Sequence, residues 1–338
     1  MMASIPQAVF AGCLQRDFIL LPDGRAYEDL MGGNALYAAV GWRLWRPDQV
    51  AGIVAKVGED YPRPWLDELE QKGFDLQGIQ IEKRPIDVRA FYAYQDLATF
   101  SRTEVVLHYA RHRLPFPKAL MGYQPPADYP DSRTQSQPIS LRSTDLPKPY
   151  LDATAAHLAP LDYLTHNLFP SLLRQGLVTK ITLAPSPGYM LPTFWTDMPQ
   201  ILRGLTAFLP TEDELCNLFK DRTKDVFEMM EALGEFVEVI IVRRSEQSQW
   251  VYDARSRMRW FIPPYPARMV SLHGVGDVFC GGFLAGYCET YDPLEAALYG
   301  NIAASIASEG IGPFYALDCE PRLPRARLEA LRQAVRKV

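Results

Sequence analysis

Short β-branched or aromatic runs alternate with longer stretches of helical pattern, and this alternation limits the fold more than any other feature of the chain. The runs are AVFAGC (8–13), AGIVAKVG (51–58), KITLAP (180–185), TAFLP (206–210) and FVEVIIVRR (236–244), and helical patterns occupy 33–45, 62–72, 167–176, 212–219 and 223–234. Strands that alternate with helices predict parallel pairing through right-handed crossovers, so an α/β fold with helices on both faces of a mostly parallel sheet is expected. Ligands in such folds sit outside the carboxyl ends of the strands. A chain of 338 residues with 48% hydrophobic content can build one large core, and a single domain over 1–338 is expected.

Two regions break the rhythm. Residues 86–108 read as two strands, because Val88, Ala90, Tyr92 and Tyr94 alternate with Arg89, Phe91 and Ala93; a β-hairpin projecting from the main sheet fits. Residues 125–149 are proline-rich and polar, too long for an ordinary connection, and read as a surface loop or insert. The tail ends in a basic amphipathic pattern, the mark of a solvated terminal helix.

A net charge of -5 with no clustered basic face argues against a nucleic-acid partner. The N-terminus lacks a basic segment ahead of a long apolar run, and no apolar stretch approaches a bilayer span, so a cytoplasmic protein without membrane partners is expected. Five cysteines with no C-x-x-C pair read as reduced thiols.

The stretch SLHGVGDVFCGGFLAGY, Ser271–Tyr287, holds five glycines in an otherwise apolar helical pattern. Each interior glycine costs a helix about 1 kcal/mol against alanine, so something must approach the backbone closely. Packing of the helix against the sheet is one explanation. The other is an anion site: glycines in the first turn clear the space around unpaired N–H groups, and the helix dipole adds positive potential. Asp277 would repel a bound phosphate, yet it suits a general base that takes the proton of an attacking hydroxyl.

HGVGDVFCGGFLAGY resembles the carboxyl-terminal signature of the ribokinase-like, or phosphofructokinase B, sugar kinases, whose usual form is D-x-T-G-A-G-D-x-F. GGNALYAAVGWRLW (32–45) is similar to that family's amino-terminal glycine pair and helix, VAKVGEDYPRPWLDELEQKGFDLQGI (54–79) to its V-G-x-D segment, and AGCLQRD (11–17) to its strand-end glycine and later aspartate. These pieces follow family order from about residue 8 to residue 313. The resemblance implies a three-layer αβα sandwich with a small β-sheet lid from about 13–22 and 86–108, and ATP- and Mg²⁺-dependent phosphoryl transfer to a hydroxyl of a sugar, polyol or nucleoside. Asp277 would then be the base, with Gly274, Val275 and Gly276 as the anion hole. Asp17, Gly33 and Asn34 would contact substrate hydroxyls, Ser245 and Ser248 would border the nucleotide, and Glu214 would hold magnesium through water. A lid with exposed apolar edges can also pair two copies into a homodimer.

The chain departs from the family at several positions. Thr211 replaces the asparagine of N-x-x-E, Ser245 and Ser248 stand where a glycine pair is frequent, Ala184 stands where an aspartate is frequent, and Ser271 and His273 replace an aspartate and a threonine. Those changes suit a divergent kinase or a catalytically impaired, kinase-fold protein that binds a sugar or nucleotide in a regulatory role. An acidic residue at the Ser271 position lets family members hold potassium, whereas serine brings no charge. His273 could face phosphate or cap the helix, and Arg89 and Arg102 could reach an anionic substrate.

Overall fold

The computed structural model describes residues 5–125 and 133–338. Its first half contains β1 (Ala8–Ala11), β2 (Gln15–Leu20), β3 (Ala26–Gly32), α1 (Asn34–Trp45), β4 (Ala51–Gly58), α2 (Arg63–Gln71), β5 (Phe74–Glu82), β6 (Arg89–Tyr94), β7 (Phe100–Ser101) and α3 (Val105–Arg111). There follow β8 (Ala155–Leu158), α4 (Tyr163–Leu173), β9 (Lys180–Leu183), α5 (Met198–Leu202), β10 (Ala207–Phe208), α6 (Glu212–Leu218), α7 (Val226–Gly234) and β11 (Val239–Arg243). The last part holds β12 (Gln249–Asp253), β13 (Met258–Ile262), α8 (Val275–Thr290), α9 (Pro293–Ala307), α10 (Leu323–Arg332) and β14 (Arg336–Lys337).

The main sheet runs β11-β10-β9-β8-β1-β4-β5 in parallel and continues past β11 as the antiparallel strands β12, β13 and β14. Alternation within β1 divides the core: Ala8 and Phe10 face the cluster built with α1, α8 and α9, whereas Val9 and Ala11 face the cluster under α4, α5, α6 and α7. The all-buried run AGIVAKVG of β4 suits a strand covered on both faces. Short or mixed strands such as β8 (AAHL) and β5 (FDLQGIQIE) carry too little pattern to be found by periodicity.

The interior glycines of α8 serve a packing role, but against helices rather than the sheet. A Cβ on Gly281 would lie 1.7 Å from the Ala38 carbonyl oxygen of α1, and one on Gly286 would lie 2.8 Å from the Tyr299 side chain of α9. Small residues thus let α8 run sandwiched between two neighbours.

A second sheet, ordered β3-β2-β6-β7, stands apart from the first. It includes β3, which the sequence pattern did not suggest. The expected second strand of the hairpin shrinks to two residues, and 105–108 begin α3 instead. The cause is packing: Tyr109 of α3 is buried against Phe91 on the outer face of this sheet, together with Phe18, Leu120 and Tyr123. That face is therefore covered by the chain's own 105–123, which in turn exposes Val106, Leu107, Phe116 and Met121. Residues 133–149 are mostly exposed, as in a surface segment, but are anchored at Ser140, Leu141 and Asp145. Buried Lys56 donates to the Ser140 carbonyl and pairs with Asp145, both at 3.0 Å, and Leu141 joins the core. Positions 126–132 of the expected 125–149 insert lie outside the described residues.

Candidate active site between the sheet and the lid

The carboxyl ends of β1, β8, β9, β10 and β11 converge on the first turn of α8, as the parallel topology demands. A cavity of about 460 Å³ lies between these strand ends and the small sheet, lined among others by Asn34, Tyr92, Arg102, Asp162, His273 and Asp277. A second of about 240 Å³ adjoins it, with Thr211, Asp213, Arg243, Ser245 and Gly276 in its wall. Gly276 lines both, so the start of α8 is the partition between them.

Gly274 caps α8 with φ 71, a left-handed conformation that glycine adopts without steric cost. The Val275 N–H turns back to the Leu272 carbonyl at 3.3 Å, and those of Asp277 and Val278 donate to the Gly274 carbonyl at 3.1 and 3.0 Å. The N–H groups of Gly274 and Gly276 meet no protein acceptor among the described residues, which leaves two donors for an anion. Val275 is buried and its N–H is committed, so only its glycine neighbours offer free donors.

Burial pushes the Asp277 carboxyl up to about 6, with Arg243 and then His273 opposing, and Glu214 and Asp17 adding to the rise. A carboxylate at that value is both ionised and appreciably basic near neutral pH. Arg243, which no local sequence pattern marks, donates from Nε to the Leu209 carbonyl at 3.1 Å and from Nη1 to the Gly276 carbonyl at 3.0 Å. Only its place at the end of a strand could have pointed to it.

The other expected residues divide. Gly33 and Asn34 line the larger cavity, but the Asn34 amide is largely occupied: Oδ1 accepts from the Cys13 N–H and Nδ2 donates to the Pro160 carbonyl, each at 2.8 Å. It ties the ends of β1 and β8 together. Asp17 is fully buried and lies behind the cavity wall, bonded through Oδ2 to His273 Nε2 at 2.8 Å. His273 therefore neither caps α8 nor stands free; its ring packs edge-on against Tyr92 and Tyr37. Ser245 borders the smaller cavity, whereas Ser248 is buried and bonded to Glu246 and Arg244. Glu214 closes a capping box, accepting the Thr211 N–H at 2.8 Å, and burial raises its pKa. Arg89 is held by Asp87 and the Ala119 and Met121 carbonyls, away from the site, while Arg102 lies over the Tyr92 ring at the cavity wall.

The pattern of the pfkB family carbohydrate kinases matches residues 175–317. The structure superposes on ribokinase from Giardia lamblia with a TM-score of 0.67 at 17% identity, covering 97% of this chain and 99% of that one. The chain has the ribokinase fold, and its carboxyl-terminal part is similar to the pfkB family carbohydrate kinases. The Escherichia coli protein described as a ribokinase II, solved with ATP and Mg²⁺, superposes with a TM-score of 0.64 at 16% identity over 96% of this chain and 99% of that one. In sequence, cytidine kinase of Thermococcus kodakarensis is 24% identical over 283 residues, which are 82% of this chain and 87% of the relative. The matched residues 175–317 include α8 and the loop before it, with His273 at its entry.

Among the described residues no group of three or more acidic, histidine or cysteine side chains could hold a metal by itself. A magnesium ion held by one or two carboxylates plus nucleotide phosphates needs no such group. Asp213 and Glu212 in the wall of the smaller cavity, with Glu214 behind them, are the acidic side chains that fit that pattern. The free N–H groups of Gly274 and Gly276 beside this cavity fit a nucleotide phosphate.

Proposed function

We propose that this protein is an ATP- and Mg²⁺-dependent kinase that phosphorylates a hydroxyl of a small sugar- or nucleoside-like molecule, with Asp277 as general base. One observation carries the reading: Asp277, its pKa near 6, sits at the partition between two cavities beside two unclaimed N–H donors. The bound nucleotide with its magnesium would supply an electrophilic phosphoryl group with part of its charge neutralised. Asp277 would take the acceptor's hydroxyl proton as that oxygen bonds to the γ-phosphorus and the bond to the bridging oxygen breaks to release ADP, while Gly274 and Gly276 present N–H groups where negative charge gathers. The aromatic lid wall of Tyr92, Tyr94 and Phe100 excludes water that would otherwise compete as acceptor.

The larger cavity would take the acceptor and the smaller the nucleotide. Cytidine kinase activity in the Thermococcus relative favours a nucleoside-sized acceptor. A panel of nucleosides, sugars and polyols, followed by ATP consumption, tests the proposal: turnover with one class supports it. Burial of Asp17 behind His273 favours a second reading, a kinase-fold protein that binds without turnover. Nucleotide binding with no consumption across the whole panel would establish that one instead.

A further inference from the structure

Arg243 places a full positive charge in the wall of the smaller cavity, against the first turn of α8. Its side chain is pinned by two backbone carbonyls, Leu209 at the end of β10 and Gly276 in the first turn of α8, so the plane of the guanidinium is fixed from both sides. The contact is tight: a Cβ on Gly276 would lie 2.9 Å from Nη1. The remaining N–H donors meet no protein acceptor among the described residues, although Glu214 and Asp277 lie close enough to feel the charge. Arg243 is half-buried at the cavity wall and carries no ion pair within 4 Å among the described residues, so the free edge of its guanidinium is open to an anion. Arg243 lines the smaller cavity next to the open N–H groups of α8, and a guanidinium with a fixed plane suits the paired oxygens of a phosphate.

Resting on the kinase reading above, we propose that Arg243 binds the terminal phosphate of the nucleotide, so that this chain distinguishes nucleotides by the number of their phosphates through a guanidinium fork. Sequence offers no substitute nearby: Arg244, the next residue, is engaged by Glu212 and Glu246. The same charge holds down the pKa of Asp277, so its removal should also move the base upward.

Titration calorimetry on the full chain with AMP, ADP and a β,γ-methylene ATP analogue, each with Mg²⁺, tests the assignment in the wild type, Arg243→Lys and Arg243→Met. The wild type should bind the analogue more tightly than ADP and AMP. Arg243→Met should weaken the analogue by roughly tenfold or more while AMP affinity stays within about twofold, the size expected for loss of a charge-assisted contact. Arg243→Lys should retain part of the preference, and it decides the matter if the methionine variant does not fold. Equal weakening of all three nucleotides, or an unchanged preference in both variants, would show a structural pin and overturn the inference while leaving the kinase reading intact. A wild type that binds no nucleotide removes both.

Discussion

The floor of the site and its lid are built on different principles. On the floor, backbone does most of the work: Gly274 in a left-handed cap, Gly276 facing both cavities, and free N–H groups that depend on local geometry within one helical turn. In the lid, side chains from distant parts of the chain meet, as Asp17 and His273 do across 256 positions. The floor is a device that needs glycine and aspartate at fixed offsets. The lid is an arrangement that many sequences could make, and it is where an acceptor would be told apart from its competitors.

The largest effect expected from separating the two regions is on turnover. Asp277→Asn keeps size and removes the proton acceptor, so kcat should fall by about 10² to 10⁴ on whichever acceptor is used. Stability should move the other way. The folded-state pKa of Asp277 is raised from 3.8 to about 6, so its contribution favours folding below about pH 4 and is lost as pH rises through 6. At pH 8 the buried carboxylate is a burden, and Asn should stabilise by about 1–2 kcal/mol once partial solvent screening is allowed for. Denaturant unfolding at pH 8 and pH 4 measures both limbs. Full turnover in the variant would remove the assigned base.

Next in size is Gly281→Ala, deeper in the same helix. Its Cβ would meet the Ala38 carbonyl at 1.7 Å and the Trp42 nitrogen at 2.8 Å, both backbone atoms that cannot swing away. Overpacking of this kind costs about 3 kcal/mol or more, and a chain of unchanged melting temperature would show that α1 and α8 are not pressed together as described.

The same contrast explains what was legible in the sequence. The parallel sheet announced itself because β4 and β11 are continuous apolar runs bounded by helical patterns, and the entry to α8 because glycine at a cap has few other causes. The lid was half visible. β6 alternates, but the partner β3, AYEDLMG, carries charges and a left-handed Asp29 whose carboxylate clamps Arg16, a pairing that no local pattern reveals. Asp17 could be found by its offset from the glycine of AGCLQRD, yet its burial behind His273 depends on a contact between opposite ends of the chain. Arg243 was hidden for a similar reason: its meaning lies in the carbonyls that hold it.

On the lid side, a moderate effect is expected from His273→Ala. Asp17 would keep a buried carboxylate without its histidine donor, and Asp17 Oδ1 has no partner among the described residues even now. The loss should be about 1–3 kcal/mol of stability, and Asp17→Asn on the same background should restore part of it because the two side chains act as one unit. ADP affinity should be unchanged while the KM for the acceptor rises, since Tyr92, which packs on His273, lines the acceptor cavity. Strictly additive substitutions would dissolve the pair as a unit.

The smallest effect concerns monovalent cations and returns to the floor. Ser271 occupies the place where an acidic residue could help to hold potassium, and its hydroxyl accepts the His273 N–H at 3.1 Å. Both its own N–H and that of Val270 donate to the Ser308 carbonyl, at 3.1 and 2.7 Å, which fixes this loop from the end of α9. A loop already held by hydrogen bonds and lacking a carboxylate gives a bound cation little to organise. Replacing potassium by tetramethylammonium at constant ionic strength should therefore change turnover by less than about twofold, because only a cation that binds one state better can shift the balance between states. A several-fold activation by potassium would mean that carbonyls alone build the cation site here, and that the loop before Gly274 is less firmly set than its hydrogen bonds to Ser308 indicate.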